Sequence, residues 1–254
     1  MLLKGKKALI FGVANKKSIA YGIAKQFKEH GAELAFSYVN DAIKKRVEPI
    51  SEELGGAFTF QCDVQSDESI AASVAEVKEK WGDFDILIHS VAFANREDLK
   101  KRYIETSRDG FHLAMDVSAY SLVSLCNAYE DLIKPGGSVM AMTYLGASRV
   151  ITNYNVMGVA KATLEASVRY LAVDLGEKDV RINAISAGPI KTLAASGISS
   201  FKDIFHHIEE RAPLKRNVTT EDVGKTAVYY ASDLSAGVTG ETHFVDCGYN
   251  ILGI

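Results

Sequence analysis

Short, largely unbroken apolar runs alternate with longer amphipathic stretches along the whole chain. The runs Lys7–Gly12, Glu33–Tyr38 and Ala57–Cys62 read as the first three strands. Asp85–Ser90, Ser138–Thr143, Val180–Ser186 and His243–Asp246 read as four more. Several of these are nearly continuous apolar runs of four to six residues, the mark of parallel strands buried on both faces. Between them, Ile19–Glu29, Glu68–Lys80, Thr106–Leu132 and Tyr154–Leu175 carry helical periodicity. Strands alternating with helices imply right-handed crossovers, and so an α/β fold with one doubly wound parallel sheet of about seven strands and helices on both faces. Prolines at 49, 135, 189 and 213 are expected where elements start or stop. With no repeat or linker in view, a single domain is expected over residues 1–254.

Composition narrows the function without choosing it. Hydrophobic residues make up 47% and charged ones 24%, a globular balance, and the net charge of −3 gives no pull toward nucleic acid or an anionic membrane. No apolar run reaches the length of a membrane helix, and the start of the chain lacks the pattern of a signal peptide. The three cysteines, Cys62, Cys126 and Cys247, are widely spaced without a C-x-x-C pair. A disulfide framework or metal site is therefore not expected, and a reducing cytoplasm is.

The turn after the first strand runs from Gly12 through Ser18 and Ile19 to Ala20 before a helix begins. In a doubly wound fold that turn faces the carboxyl ends of the strands, where dinucleotides bind. A glycine there admits a pyrophosphate close to the backbone, and Ser18 can cap the helix and meet a phosphate oxygen. The G-x-G-x-x-G spacing is missing, so an ordinary strand–helix turn is an equal reading. Asp63, ending the third strand, could accept from an adenine amino group or simply shape a turn. Ser90 and Val91, ending the fourth, leave room for a ribose or only for packing. After the second strand the position that selects the cofactor is the neutral Val39, with Asp41 just beyond it and Lys44, Lys45 and Arg46 a turn later. NADH is the expectation and NADPH the alternative.

The most informative stretch runs from Thr143 to Lys161. Tyr154 and Lys161 stand seven residues apart, two helical turns, on one face about 10 Å apart along the axis. Met157 falls between them. A phenol and a long ammonium can thus converge on one ligand, with the ammonium favouring the phenolate form of a nearby tyrosine.

These motifs together resemble the divergent enoyl-acyl-carrier-protein reductases of the short-chain dehydrogenase/reductase family. The residues that carry the resemblance are Gly12, Ser18 and Ala20 in a G-x5-S-x-A turn, the Tyr154-x6-Lys161 pair, and the run from Ser186 to Ala195. The commoner branch has Tyr-x3-Lys, but position 158 is glycine, and Ser90-Val91-Ala92 stands where that branch has Asn-Ala-Gly.

The resemblance implies a Rossmann-type fold and reduction of a trans-2-enoyl thioester on acyl carrier protein, in a bacterial cytoplasm or a plastid stroma, by a homotetramer. It implies Tyr144, Tyr154 and Lys161 as catalytic residues. Gly12, Ser18, Ile19, Val39, Asp63 and Val64 would hold the cofactor, joined by Ser90, Val91, Lys161, Ile190, Lys191, Thr192, Leu193 and Ala194. Ala94, Leu99, Tyr144, Met157, Ile198 and Phe201 would contact substrate beneath a lid over 190–212, for which a permanently packed helix is the alternative. Lys202, Arg211, Lys215 and Arg216 are candidates for docking the carrier. A 3-ketoacyl or alcohol dehydrogenase of the same fold, or a dinucleotide sensor without catalysis, remain the competing functions.

Overall fold

The computed structural model describes residues 1–193 and 201–253, and side chains at 201–204 fall outside that description. Seven parallel strands form one sheet in the order β3-β2-β1-β4-β5-β6-β7. They are β1 (Lys7–Phe11), β2 (Glu33–Tyr38), β3 (Phe58–Gln61), β4 (Phe84–His89), β5 (Ile133–Thr143), β6 (Arg181–Ala187) and β7 (Thr242–Val245). The direction of winding reverses between β1 and β4, where Phe11 pairs with His89. This is the switch point at which a doubly wound sheet opens a crevice beyond its carboxyl edge.

Alternation along each strand divides the core in two. Ala8 and Ile10 face one layer, with α1 (Ile19–Glu29), α2 (Asp41–Leu54), α8 (Phe201–Arg211) and α9 (Thr220–Ala231) packed there through Ile23, Phe27, Val47, Ile208 and Val223. Leu9 and Phe11 face the other, against α3 (Asp67–Trp81), α6 (Ser121–Tyr129) and α7 (Asn155–Gly176) through Val77, Leu125, Tyr129, Leu164 and Val168. Each such side chain contributes roughly 1.5–3 kcal/mol by leaving water.

Helix ends follow local chemistry. Asn40 caps α2 by accepting from Ile43 N–H, and Gly55 ends it in the left-handed region at φ 64°. Ser66 caps α3, with Asp67 and Glu68 in the first turn and Lys78 and Lys80 in the last, as the helix dipole favours.

Three expectations are corrected. Pro49 lies inside α2, not at an end. It is exposed, as is Lys45 one turn earlier, so the carbonyl left without a proline N–H faces water. Pro135 lies inside β5, in an exposed bulge where the register with β4 shifts between Phe84 and Ile86. The stretch 106–132 is not one helix. It comprises α5 (Arg108–Met115), a π turn at Asp116–Tyr120, then α6 and a 3₁₀ turn at Glu130–Leu132.

Candidate active site

Because the strands are parallel, the connections leaving their carboxyl ends all emerge on one edge of the sheet. Gly12 comes after β1, Val39 after β2, Asp63 after β3, Ser90 and Val91 after β4, Tyr144 after β5 and Ile190 after β6. Gly12 has φ +99°, and a Cβ there would lie 2.1 Å from the Ser90 carbonyl oxygen. Only glycine lets β1 turn so close to β4. Ser90 N–H in turn donates to Phe11 O at 3.1 Å, which locks the two strand ends together.

Ser18 stands at the N-cap of α1, yet its hydroxyl makes no cap bond to the helix. It accepts from Ala14 N–H and Asn15 N–H, both at 3.1 Å, and thereby folds the turn back on itself. Ile19 opens the helix as its first residue. Asp63 adopts the turn role, with Oδ1 accepting from Gln65 N–H at 3.0 Å, and Val64 is half-buried beside it. Val39 is 38% exposed at the end of β2. Lys44 lies over the Tyr38 ring and pairs with Glu48 at 3.8 Å, so it is engaged on its own helix face.

Tyr154 is the N-cap of α7 and Lys161 lies in its second turn. Lys161 is 5% exposed and donates to Met142 O of β5 at 2.7 Å. Burial pulls its ammonium down to about 8, and the Glu165 carboxylate one turn along opposes that shift. Glu165 is itself fixed by the Thr143 hydroxyl at 2.7 Å. The Tyr154 ring meets the Tyr144 ring edge-on, with centroids 5.0 Å apart and planes at 71°. Burial pushes the Tyr144 phenol up to about 12 and lifts the Tyr154 phenol well above its ordinary value, where Tyr144 and Glu165 add to the shift. The expectation that Lys161 favours a phenolate is therefore corrected: desolvation dominates, and Tyr154 stays a neutral hydrogen-bond donor.

Met157 is buried between these two residues, while Ala94 and Leu99 are half-buried after β4. Thr192 N–H donates to Ile190 O at 2.7 Å, and Lys191 Nζ sits 4.1 Å above the Phe205 ring. Leu193 is exposed. Ala194 and Ile198 lie outside the described residues, as does the Phe201 side chain, so the lid expectation is met by description only in part. In that part, Ile208 docks α8 on the core, which favours the packed alternative for its second half. Of the docking candidates, Arg216 is committed to a fork with Asp222 at 2.7 and 3.1 Å, and Lys215 donates to Glu210 O.

One buried histidine gives no sign of itself in the sequence pattern. His89 ends β4, fully buried, with Nε2 2.7 Å from Ser121 Oγ. That hydroxyl spends its proton on Val117 O, so Nε2 carries the hydrogen and Nδ1 is an acceptor with no partner among the described residues. Burial, then the Lys161 charge, hold the imidazole down at about 3, so it is neutral. Nearby, Ser118 of the π turn clasps Phe93 by accepting from its N–H and donating to its carbonyl. A π turn inside a helical stretch often marks a functional site, but the apolar period of 106–132 runs through it without a break.

A doubly wound parallel sheet whose carboxyl edge gathers a glycine turn, a buried lysine and two phenols in edge-on contact is the frame of an α/β dinucleotide-dependent oxidoreductase. A family profile described as enoyl-(acyl carrier protein) reductase matches residues 12–250. The chain belongs to that family, the enoyl reductases of fatty-acid biosynthesis. It is 55% identical over 252 residues to the enoyl-[acyl-carrier-protein] reductase [NADH] FabI of Rickettsia prowazekii, a match that covers 99% of this chain and 97% of that one. The enoyl-acyl carrier protein reductase of Bacillus cereus, solved with NADP+ and indole naphthyridinone, superposes with a TM-score of 0.98 at 49% identity, covering 100% of this chain and 99% of that chain. The Anaplasma phagocytophilum reductase, solved with NAD, gives 0.97 at 49% identity, covering 100% and 97%.

Proposed function

We propose that this protein reduces the trans-2 double bond of enoyl thioesters on acyl carrier protein, with NADH as the hydride source. One observation carries the mechanism: a protonated Tyr154 phenol, edge-on to Tyr144, shares the carboxyl edge of the sheet with a buried Lys161 ammonium. The residues present fit a dinucleotide. Gly12, Val39, Asp63, Ser90 and Ile190 all leave the sheet at its one carboxyl edge, and the first turn carries no side chain at Gly12. When bound, reduced nicotinamide supplies the hydride to the substrate β-carbon.

The chain's own residues do the rest. Gly12, Ser18, Ile19 and Thr192 would hold the phosphates, Asp63 and Val64 the adenine end, Ser90 and Val91 the ribose and nicotinamide with Lys161 on the ribose, and Ile190 would pack against the nicotinamide. Hydride addition moves charge to the thioester oxygen, and Tyr154 donates its proton in a hydrogen bond to that oxygen as the enolate forms. The α-carbon then takes up a proton as the enolate collapses; Tyr144, edge-on to the Tyr154 ring, would serve the pocket or that proton delivery, and Ala94, Leu99 and Met157 border the acyl chain.

The assay is loss of reduced-nicotinamide absorbance with crotonyl thioester and with acetoacetyl thioester. Turnover of the first alone supports the reading, turnover of the second alone assigns a ketoacyl reductase, and cofactor binding without turnover of either assigns a sensor. NADH is expected to show the lower KM, because Val39 offers no charge to a 2′-phosphate and Lys44 is held by Tyr38 and Glu48. A clear NADPH preference in initial rates would reverse this and implicate Lys45 or Arg46.

We place the protein in the cytoplasm, in keeping with three free, buried cysteines. Among the described residues no helix is long and apolar enough to cross a membrane. A homotetramer is also proposed, supported by the exposed Tyr120 beside α6 and the exposed Tyr170 and Val173 on α7. Sedimentation equilibrium should return four times the 27.6 kDa chain mass, and a monomer would refute it.

A further inference from the structure

We infer that Asn155 is a positioning residue with two separable tasks: its side chain latches the 98–101 segment onto the start of α7, and its backbone sets the aim of Tyr154. The inference rests on the proposed roles of Tyr154 and Leu99. Asn155 Nδ2 donates to Lys101 O at 2.6 Å, Leu99 O at 3.1 Å and Asp98 O at 3.4 Å. An amide group has two protons for these three carbonyls, so one proton is shared. Three carbonyl oxygens around a single atom also require it to be the nitrogen.

The segment is tied down again from its other side. The buried Asp98 carboxylate accepts from Ser107 N–H at 2.9 Å and from the Ser107 hydroxyl at 3.1 Å, which fastens it to the N-cap of α5. Leu99, the proposed acyl wall, therefore hangs between two polar anchors, one of them the residue next to Tyr154. Movement of the wall and movement of the phenol are coupled through that one side chain.

The second task is visible in the backbone. Asn155 has φ 40° and Asn153 φ 62°, so Tyr154 is bracketed by two left-handed residues. Asparagine tolerates that region better than other side chains apart from glycine. The ring they aim lies in a tight slot: a Cβ on Gly146 would fall 2.4 Å from its Cδ1. A ring so confined takes its direction from the backbone on either side of it. Asparagine is thus the residue that both reaches three carbonyls and accepts the turn.

Three variants separate the tasks. Asn155→Asp keeps a tolerable backbone and removes the donors, Asn155→Gly keeps the turn and removes the side chain, and Asn155→Ala removes the donors and disfavours the turn. Asn155→Asp and Asn155→Gly are expected to raise KM for crotonyl thioester by roughly three- to tenfold. NADH affinity should be unchanged, and amide exchange across 98–105 should become faster. Asn155→Ala should add a fall in kcat beyond that of Asn155→Gly, as Tyr154 loses its aim. Wild-type KM and wild-type exchange in both Asn155→Asp and Asn155→Gly would overturn the latch. Equal kcat in Asn155→Ala and Asn155→Gly would overturn the backbone task, and an Asn155→Ala chain that fails to fold while Asn155→Gly folds would support it. If the wild-type protein does not reduce crotonyl thioester, the functional reading fails, and exchange across 98–105 still decides the latch.

Discussion

Tyr154→Phe is expected to lower kcat for crotonyl thioester by roughly ten- to hundredfold while leaving the NADH dissociation constant unchanged. In the proposed mechanism the phenol donates to the enolate oxygen, and it remains protonated because burial lifts it well above its ordinary value. Loss of an oxyanion donor costs about 10²–10³ in rate where nothing replaces it. A ribose hydroxyl or a water can occupy part of the space a missing hydroxyl leaves, so the loss should fall short of that range. Phenylalanine keeps the edge-on contact with Tyr144 and the fit against Gly146, so the fold and the cofactor site should be undisturbed. The effect should therefore sit in kcat, with KM little changed, the mark of an interaction made only in the transition state. Steady-state kinetics and fluorescence titration of NADH read the two quantities separately. Unchanged kcat would remove Tyr154 from the chemistry, and loss of NADH binding would make it a cofactor residue instead.

The parts of this site legible in the sequence are those written in apolar period and strand order. The five inner strands could be placed because strands buried on both faces are largely apolar, the edge strands β3 and β7 by their aromatic and β-branched residues, and their order then put Gly12, Asp63, Ser90 and Tyr144 at corresponding ends. The helix Ile19–Glu29 was bounded by Ser18 and by the charged run that precedes Gly31. What escaped depends on long-range contacts. His89 reads as the polar end of a strand, and only Ser121, 32 positions later, shows how its ring is held. The π turn at Asp116–Tyr120 keeps the apolar face of its neighbours, so no period betrays it. Asn155 looks like any residue at a helix start until three carbonyls of 98–101 surround it. The short helix Arg96–Lys100 is charged at every position but Leu99 and is held by partners elsewhere in the chain, so its own sequence has nothing periodic to read.

Lys161→Met should raise the NADH dissociation constant roughly ten- to hundredfold, since a charged donor to the ribose is typically worth about 1.5–3 kcal/mol. The same change should not weaken the folded apo-protein in proportion, and the pH dependence shows why. Burial holds the ammonium at about 8, below its ordinary 10.5. The folded chain therefore binds this proton less tightly than the unfolded chain does. Between about pH 8 and 10.5 the unfolded state carries the proton and the folded state does not, so this group's contribution to stability rises with pH across that window. Below pH 8 both states carry it, and the folded state bears the full cost of a buried charge, offset in part by Met142 O and Glu165. Methionine removes that cost together with the hydrogen bond, so the melting temperature without cofactor at pH 7 should change little. The rise in melting temperature that NADH brings should shrink sharply. In the wild type, NADH affinity should hold below about pH 8 and weaken above it as the ammonium loses its proton, whereas Lys161→Met should show no such decline. Calorimetry from pH 6 to 9.5 on both proteins distinguishes the outcomes. Normal NADH affinity in Lys161→Met, or the same pH decline in both proteins, would mean that the ribose is held by another group.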